Sequence, residues 1–177
     1  TNLAIYEVNY SADNQEKKVF VVTYSVEKLA AQGDLIVAHD KREFLHFGFS
    51  GESSEPVFLK TASGVEGSLE KGYVMMREGS ITGISTNLDV TSEGGQIEIV
   101  IYKNGEAIMF GNTIDASSTG IKKDHDVQSK GVVTFVPGDI ISAYANSEGS
   151  TWKDVITMVE ITTKNKIVKN IKVFKLV

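Results

Sequence analysis

Histidine offers the readiest acid–base and metal-binding chemistry in this chain, because cysteine is absent and only His39, His46 and His125 are present. His39 and His46 lie in AHDKREFLH, with Asp40 and Glu43 between them. A metal site needs three or four converging ligands, and this spacing fits no zinc signature. On an extended strand the odd separation sends the two imidazoles to opposite faces. Asp124-His125-Asp126 offers carboxylates for calcium. It lacks the further acids and the glycine of a dedicated calcium loop, so a solvated loop tip is expected. Ser50 in GFSGE sits near His46. The glycine after it, Gly51, comes one place too early for a nucleophile elbow, and no strand–turn–helix setting surrounds it. EGGQ at Glu93–Gln96 lacks the Lys-Ser/Thr of a phosphate loop. Asp13 with Glu16 needs no account beyond solvation. The expectation is a chain with no catalytic residue, no metal ligand and no cofactor site, hence not an enzyme.

The single tryptophan, Trp152, falls in SEGSTWKD. An exposed loop tryptophan suits stacking on a sugar ring. A contact with the core is the alternative.

The elements that must carry these residues are short and extended. Of the 177 residues, 41% are hydrophobic and 23% charged, as in a globular protein. Glycines number 16 against 2 prolines and gather in polar clusters that separate strands. A net charge of −5 repels phosphate backbones and argues against nucleic acid. No stretch is long and apolar enough for a membrane-spanning helix. TNLAIYEVNYSADNQ has neither the basic nor the apolar region of a signal peptide, so assembly in a cytoplasm is expected.

LAIYEVNY and KKVFVVTY read as strands, and SVEKLAAQG is the one short-helix candidate, with Ser25 as cap and Gly33 as stop. From Gly72 the texture becomes regular, with many short strands and tight turns. In QIEIVIY, Ile97, Ile99 and Ile101 share one face and Glu98, Val100 and Tyr102 the other. In VITMVEIT, Val155, Thr157, Val159 and Ile161 share a face. Asn104-Gly105 predicts a type I′ hairpin turn, and Pro137-Gly138-Asp139 a type II corner. The pattern predicts an all-β fold, an antiparallel β-sandwich or jelly roll. It divides the chain into a β-rich extension (1–71), a jelly roll (72–163) and a lysine-rich strand or tail (164–177). That last block holds Lys164, Lys166, Lys169, Lys172 and Lys175 and no acid. A last strand with lysines outward is preferred for it, ahead of docking on an acidic partner and of a membrane-surface helix.

Three motifs carry a resemblance over roughly residues 72–163. They are Arg77-Glu78-Gly79-Ser80-Ile81-Thr82-Gly83-Ile84-Ser85, the run Tyr102 to Gly105, and Phe135-x-x-Gly138-Asp139 before Ile140-Ile141. This stretch resembles the jelly-roll domains of bacteriophage virion proteins of head-decoration and head-fibre type, akin in architecture to C1q and tumour-necrosis-factor modules. The resemblance implies a homotrimer that buries an aromatic patch, with Tyr102, Tyr144 and Phe110 as candidates. It implies a structural role in a virion, with the major capsid protein or a neighbouring virion protein as partner and residues 1–71 as anchor. A receptor- or carbohydrate-binding module of a phage tail or other adhesin is the alternative.

Overall fold

The computed structural model describes the backbone over 4–12, 15–23 and 35–169, and side chains over 41–163. The helix candidate at 25–33 lies outside the described residues. Contacts divide the chain into two compact units, Thr1–Ala38 with Lys166–Val177, and His39–Asn165.

In the first unit, β1 (Ala4–Ala12) and β2 (Gln15–Thr23) pair antiparallel from Ala4↔Thr23 to Ala12↔Gln15. The two apolar runs therefore pair as neighbouring antiparallel strands.

The second unit is built on β3 (Leu35–Ser53), β4 (Val57–Phe58), β5 (Lys60–Thr61), β6 (Tyr73–Val74), β7 (Gly79–Ser92), β8 (Gln96–Lys103), β9 (Glu106–Asp115), β10 (Gly120–Val127), β11 (Val133–Phe135), β12 (Ile140–Ser147) and β13 (Thr151–Lys169). One sheet runs β10-β7-β13-β3-β5, with β11 also pairing β7. The other runs β4-β12-β8-β9, with β6 pairing β12. The strand pairings whose register is described are antiparallel, and no helix occurs among the described residues. The all-β sandwich expected from the strand pattern is therefore the fold. Its start differs. Residues 41–61, assigned to the extension, supply β4, β5 and most of β3, and Leu45, Phe47 and Leu59 are core residues. The regular texture after Gly72 hides this, because β4 and β5 have two residues each and give no alternation. At the other boundary β13 runs on to Lys169, so Lys164, Lys166 and Lys169 are in that strand. Lys172 and Lys175 lie outside the described residues.

The core forms where the two inner faces meet. Ile81, Ile84, Leu88, Val90, Val155 and Val159 come from one sheet, and Ile97, Ile99, Ile101, Ile114 and Ile141 from the other, all nearly inaccessible. Burying such a side chain contributes roughly 1.5–3 kcal/mol. Buried hydroxyls satisfy one another: Thr86 with Thr157 at 3.0 Å, and Thr82 with Thr162 at 2.9 Å.

A bulge in β13 sets what faces inward. Pairing with β7 jumps between Lys153 and Ile156. Asp154 sits there with a left-handed φ of 53°, and its Oδ1 accepts the Gly51 N–H at 3.0 Å. Before the bulge Trp152 points inward; after it Val155, Thr157 and Val159 do, and Ile156 and Met158 face solvent.

The two predicted turns are joined. Asn104 (φ 53°) and Gly105 (φ 80°) have the positive φ that a type I′ turn requires. Gly138 (φ 95°) takes the third position of the Val136–Asp139 turn, closed by Asp139 N–H to Val136 O at 3.1 Å. Asn104 Nδ2 donates to Asp139 Oδ1 and Asn104 Oδ1 accepts the Ile140 N–H, both at 2.8 Å. The Val136 N–H donates to Asp139 Oδ2 at 2.9 Å. The Asn104 amide, then the Val136 N–H, hold the Asp139 carboxyl below its ordinary 3.8. A lowered carboxylate pKa stabilises the fold above the ordinary value, and that contribution is lost as pH falls through the lowered one. Asp139→Ala is expected to lower urea-unfolding stability at pH 7, with the gap from wild type narrowing below pH 3.8; a gap that stays constant from neutral to acid pH contradicts the latch.

Candidate functional site

The residues singled out for chemistry do not converge. His46 is exposed on β3, and His39 lies outside the described side chains. Ser50 is on the same face as His46 but four residues on, about 13 Å along an extended strand. The nearby Asp154 carboxylate is held by the Gly51 N–H. Asp124-His125-Asp126 is not a loop tip. It is part of β10, with His125 opposite Ser85 and Asp124 opposite Thr86, so the imidazole and the two carboxylates point to opposite faces. Asp124 Oδ2 accepts from the buried Asn112 amide at 3.3 Å. Charges turned toward the inner side of an edge strand discourage edge-to-edge aggregation. Among the described residues, no three His, Asp or Glu side chains group as metal ligands would.

Trp152 is not in a loop. It lies in β13, fully buried, with its ring edge-on to Phe49 at 5.2 Å. The reason is the bulge, which reverses inward and outward between Trp152 and Ile156. Sugar stacking on Trp152 is thereby ruled out.

The expected aromatic patch is regrouped. Tyr102 and Tyr144 do meet, with ring centroids 6.0 Å apart, on the outer face of the second sheet. Their third member is Phe58, at 4.8 Å from Tyr144 and 5.7 Å from Tyr102. Phe110 is not part of it. The β8–β9 register slips between Val100 and Tyr102, and Phe110 turns inward to pack partly buried on the core. The three clustered rings cover one another, as cross-strand aromatic neighbours do.

Several exposed apolar side chains lie elsewhere, on the outer face of β10-β7-β13-β3. Register sets Ser85 of β7 between His125 and Met158, and Asn87 between Lys123 and Ile156. Ile121 and Val127 share the outer side of β10, and Phe44 and His46 that of β3. Ile121 is 77% exposed, Val127 80%, Ile156 63% and Phe44 51%. Small β7 residues between larger neighbours leave a shallow concavity of about 590 Å³, with Ile156 and Met158 on its apolar side and Lys123 and His125 on its polar side. A second concavity, of about 460 Å³, continues across Ile156 to His46 and Gly48. This face was legible in part. Placing Val155, Thr157 and Val159 inward leaves Ile156 and Met158 outward, where a solvated strand carries polar residues.

In comparisons with known proteins, no family model, no curated protein and no solved structure matches the chain.

Two measurements check these placements. Trp152 emission is expected to resist acrylamide quenching in the folded protein and to become quenchable in urea; strong quenching at the outset contradicts the buried placement. Tyr144→Ala is expected to cost about 1–2 kcal/mol of stability from lost ring contacts and area, with solution mass unchanged. A fall in mass instead assigns the aromatic cluster to an interface.

Proposed function

We propose that this chain is a structural virion protein, a trimeric jelly roll that decorates or cements a phage capsid. The observation that carries the reading is the apolar outer face of β10-β7-β13-β3. A few hundred Å² of contiguous exposed apolar surface is the usual ceiling for a free monomer, and larger patches mark interaction sites. Met109 on the neighbouring strand β9 is fully exposed as well. A flank that fits a face is a head-to-tail contact, and such contacts close into rings.

Strand order supports the jelly roll. Counting the eight strands β3, β4, β7, β8, β9, β10, β12 and β13 in chain order, the sheets run 6-3-8-1 and 2-7-4-5. All successive connections among these eight except β8–β9 cross between the layers, as two Greek keys require. The virion role rests on the resemblance carried by Arg77–Ser85, Tyr102–Gly105 and Phe135–Ile141. The mechanism is burial of modest contacts repeated by symmetry, so that weak docking on a shell adds up. The adhesin reading has lost its stacking residue, since Trp152 is internal.

Size-exclusion chromatography with light scattering tests the assembly. Three times the 19.3 kDa chain mass is expected. Ile156→Lys with Met158→Lys is expected to give a folded monomer. Purified trimer should then rebind capsids stripped of it. A wild-type monomer overturns the trimer, and a trimer that ignores stripped capsids overturns the decoration role.

A further inference from the structure

Asn104 is the only asparagine in the chain that a glycine follows. Such a pair carries a reaction of its own. The next backbone nitrogen, unshielded because glycine has no Cβ, closes a five-membered ring if it bonds to the side-chain Cγ. We infer that Asn104 is a self-modification site, where a slow deamidation is held back by the Asp139 latch and its product takes the latch apart.

In the first step the Gly105 nitrogen bonds to Asn104 Cγ as the Cγ–Nδ2 bond breaks. The Gly105 amide proton leaves with Nδ2 as ammonia, and a cyclic imide joins the two residues. Water, the co-reactant, then opens the ring at either carbonyl. Opening at Cγ leaves aspartate in an ordinary chain. Opening at the main-chain carbonyl leaves isoaspartate, with the chain running through the side chain. The new acid gives its proton to solvent, and nothing is oxidised or reduced.

The fold opposes the first step. Asn104 is exposed, so water reaches it. Its amide is nevertheless fixed at both ends: Nδ2 donates to Asp139 Oδ1 and Oδ1 accepts the Ile140 N–H, both at 2.8 Å. Its own N–H donates to Ile140 O at 2.9 Å. Attack needs the Gly105 nitrogen over the face of the side-chain amide. Turning the amide to receive it breaks the Asp139 and Ile140 bonds together. Asp139 is itself held, by the Val136 N–H at Oδ2 and by the Met75 N–H, which donates to its main-chain oxygen at 2.8 Å. Opening of the latch therefore limits the reaction.

Neither product restores the latch. Aspartate at 104 presents an oxygen where Nδ2 donated, and it faces Asp139 Oδ1 across the same 2.8 Å. Two carboxylates so close disfavour each other's ionised form, so one carboxyl is raised above its ordinary value. That penalty is present at neutral pH and shrinks as pH falls through the raised value. Isoaspartate adds one carbon to the main chain inside a two-residue turn, and the type I′ geometry is lost. The β8–β9 hairpin and the Pro137 corner then lose their joint, and the change is one-way.

Peptide mass spectrometry of the full chain, incubated at mildly alkaline pH, follows conversion at Asn104, with circular dichroism recording the fold. Asp139→Ala is expected to convert about tenfold faster than folded wild type, the factor that loss of one charge-assisted hydrogen bond brings. Asp139→Asn, which keeps the shape and loses the charge, replaces it if the alanine variant loses its sheet signal, with the same direction expected. Wild type in urea is expected to convert faster than folded wild type by at least as much. Equal rates in folded wild type and in urea overturn the protection. A folded Asp139 variant that converts no faster than wild type overturns the latch as its source. Asn104→Asp, which is one of the products, is expected to unfold at lower urea than wild type at neutral pH, with the gap closing in acid. An Asn104→Asp chain as stable as wild type at neutral pH overturns the unlocking.

Discussion

One irregularity at Asp154 decides which side of β13 meets the core. A regular strand keeps even and odd residues on fixed faces along its length. Here the bulge shifts the count, so that even-numbered Trp152 and odd-numbered Val155, Thr157 and Val159 all point inward. The left-handed φ at Asp154 is stabilised by its own carboxylate, which bonds to the Gly51 N–H on β3. The largest side chain of the core and the exposed Ile156–Met158 pair are two products of the same shift. The inner face gains an indole that packs edge-on to Phe49. The outer face gains two apolar side chains where a solvated strand holds polar ones.

Local chemistry carried most of the fold into the sequence. Asn104-Gly105 and Pro137-Gly138 have the backbone their types demand, and Ile97, Ile99 and Ile101 face inward as their spacing indicates. These signals span only a few residues, so one chain displays them. The misplaced features all depend on register. SEGSTWKD reads as a loop because the bulge that turns Trp152 inward leaves no compositional trace. Phe110 was grouped with Tyr102 and Tyr144 because the slip in β8–β9 pairing is a property of two strands at once. The sandwich was begun at Gly72 because β4 and β5 are too short to show a period. Phe58, the third ring of the cluster, gives no signal in the sequence for the same reason, since it lies on the two-residue β4.

The candidate site was legible only as its complement. Assigning an inner face to β13 names the outer one, but whether that outer face is apolar over several strands depends on which strands are neighbours. Ile121 and Ile156 are far apart in the chain. They share a surface because β7 stands between β10 and β13 and offers only small side chains, Ser85 and Asn87, between them. The carboxylates bordering that surface form bonds within the chain, to Lys153, Thr82, Gly51 and Asn112. The face thus combines apolar side chains and imidazoles with carboxylates that are engaged within the chain.

The position of β13 in its sheet has a kinetic side. It lies between β7 and β3, so the sheet gains its middle only when residues 151–169 are available. Until then β3 and β7 have no bridge between them, and the hydroxyls of Thr82 and Thr86 lack their partners Thr162 and Thr157. Contacts between such distant parts of a chain slow folding, because loop closure precedes the stabilisation it brings. A nascent chain on the ribosome would hold the β8–β9 hairpin early, as a local element. It would close the sandwich only in one late, cooperative step.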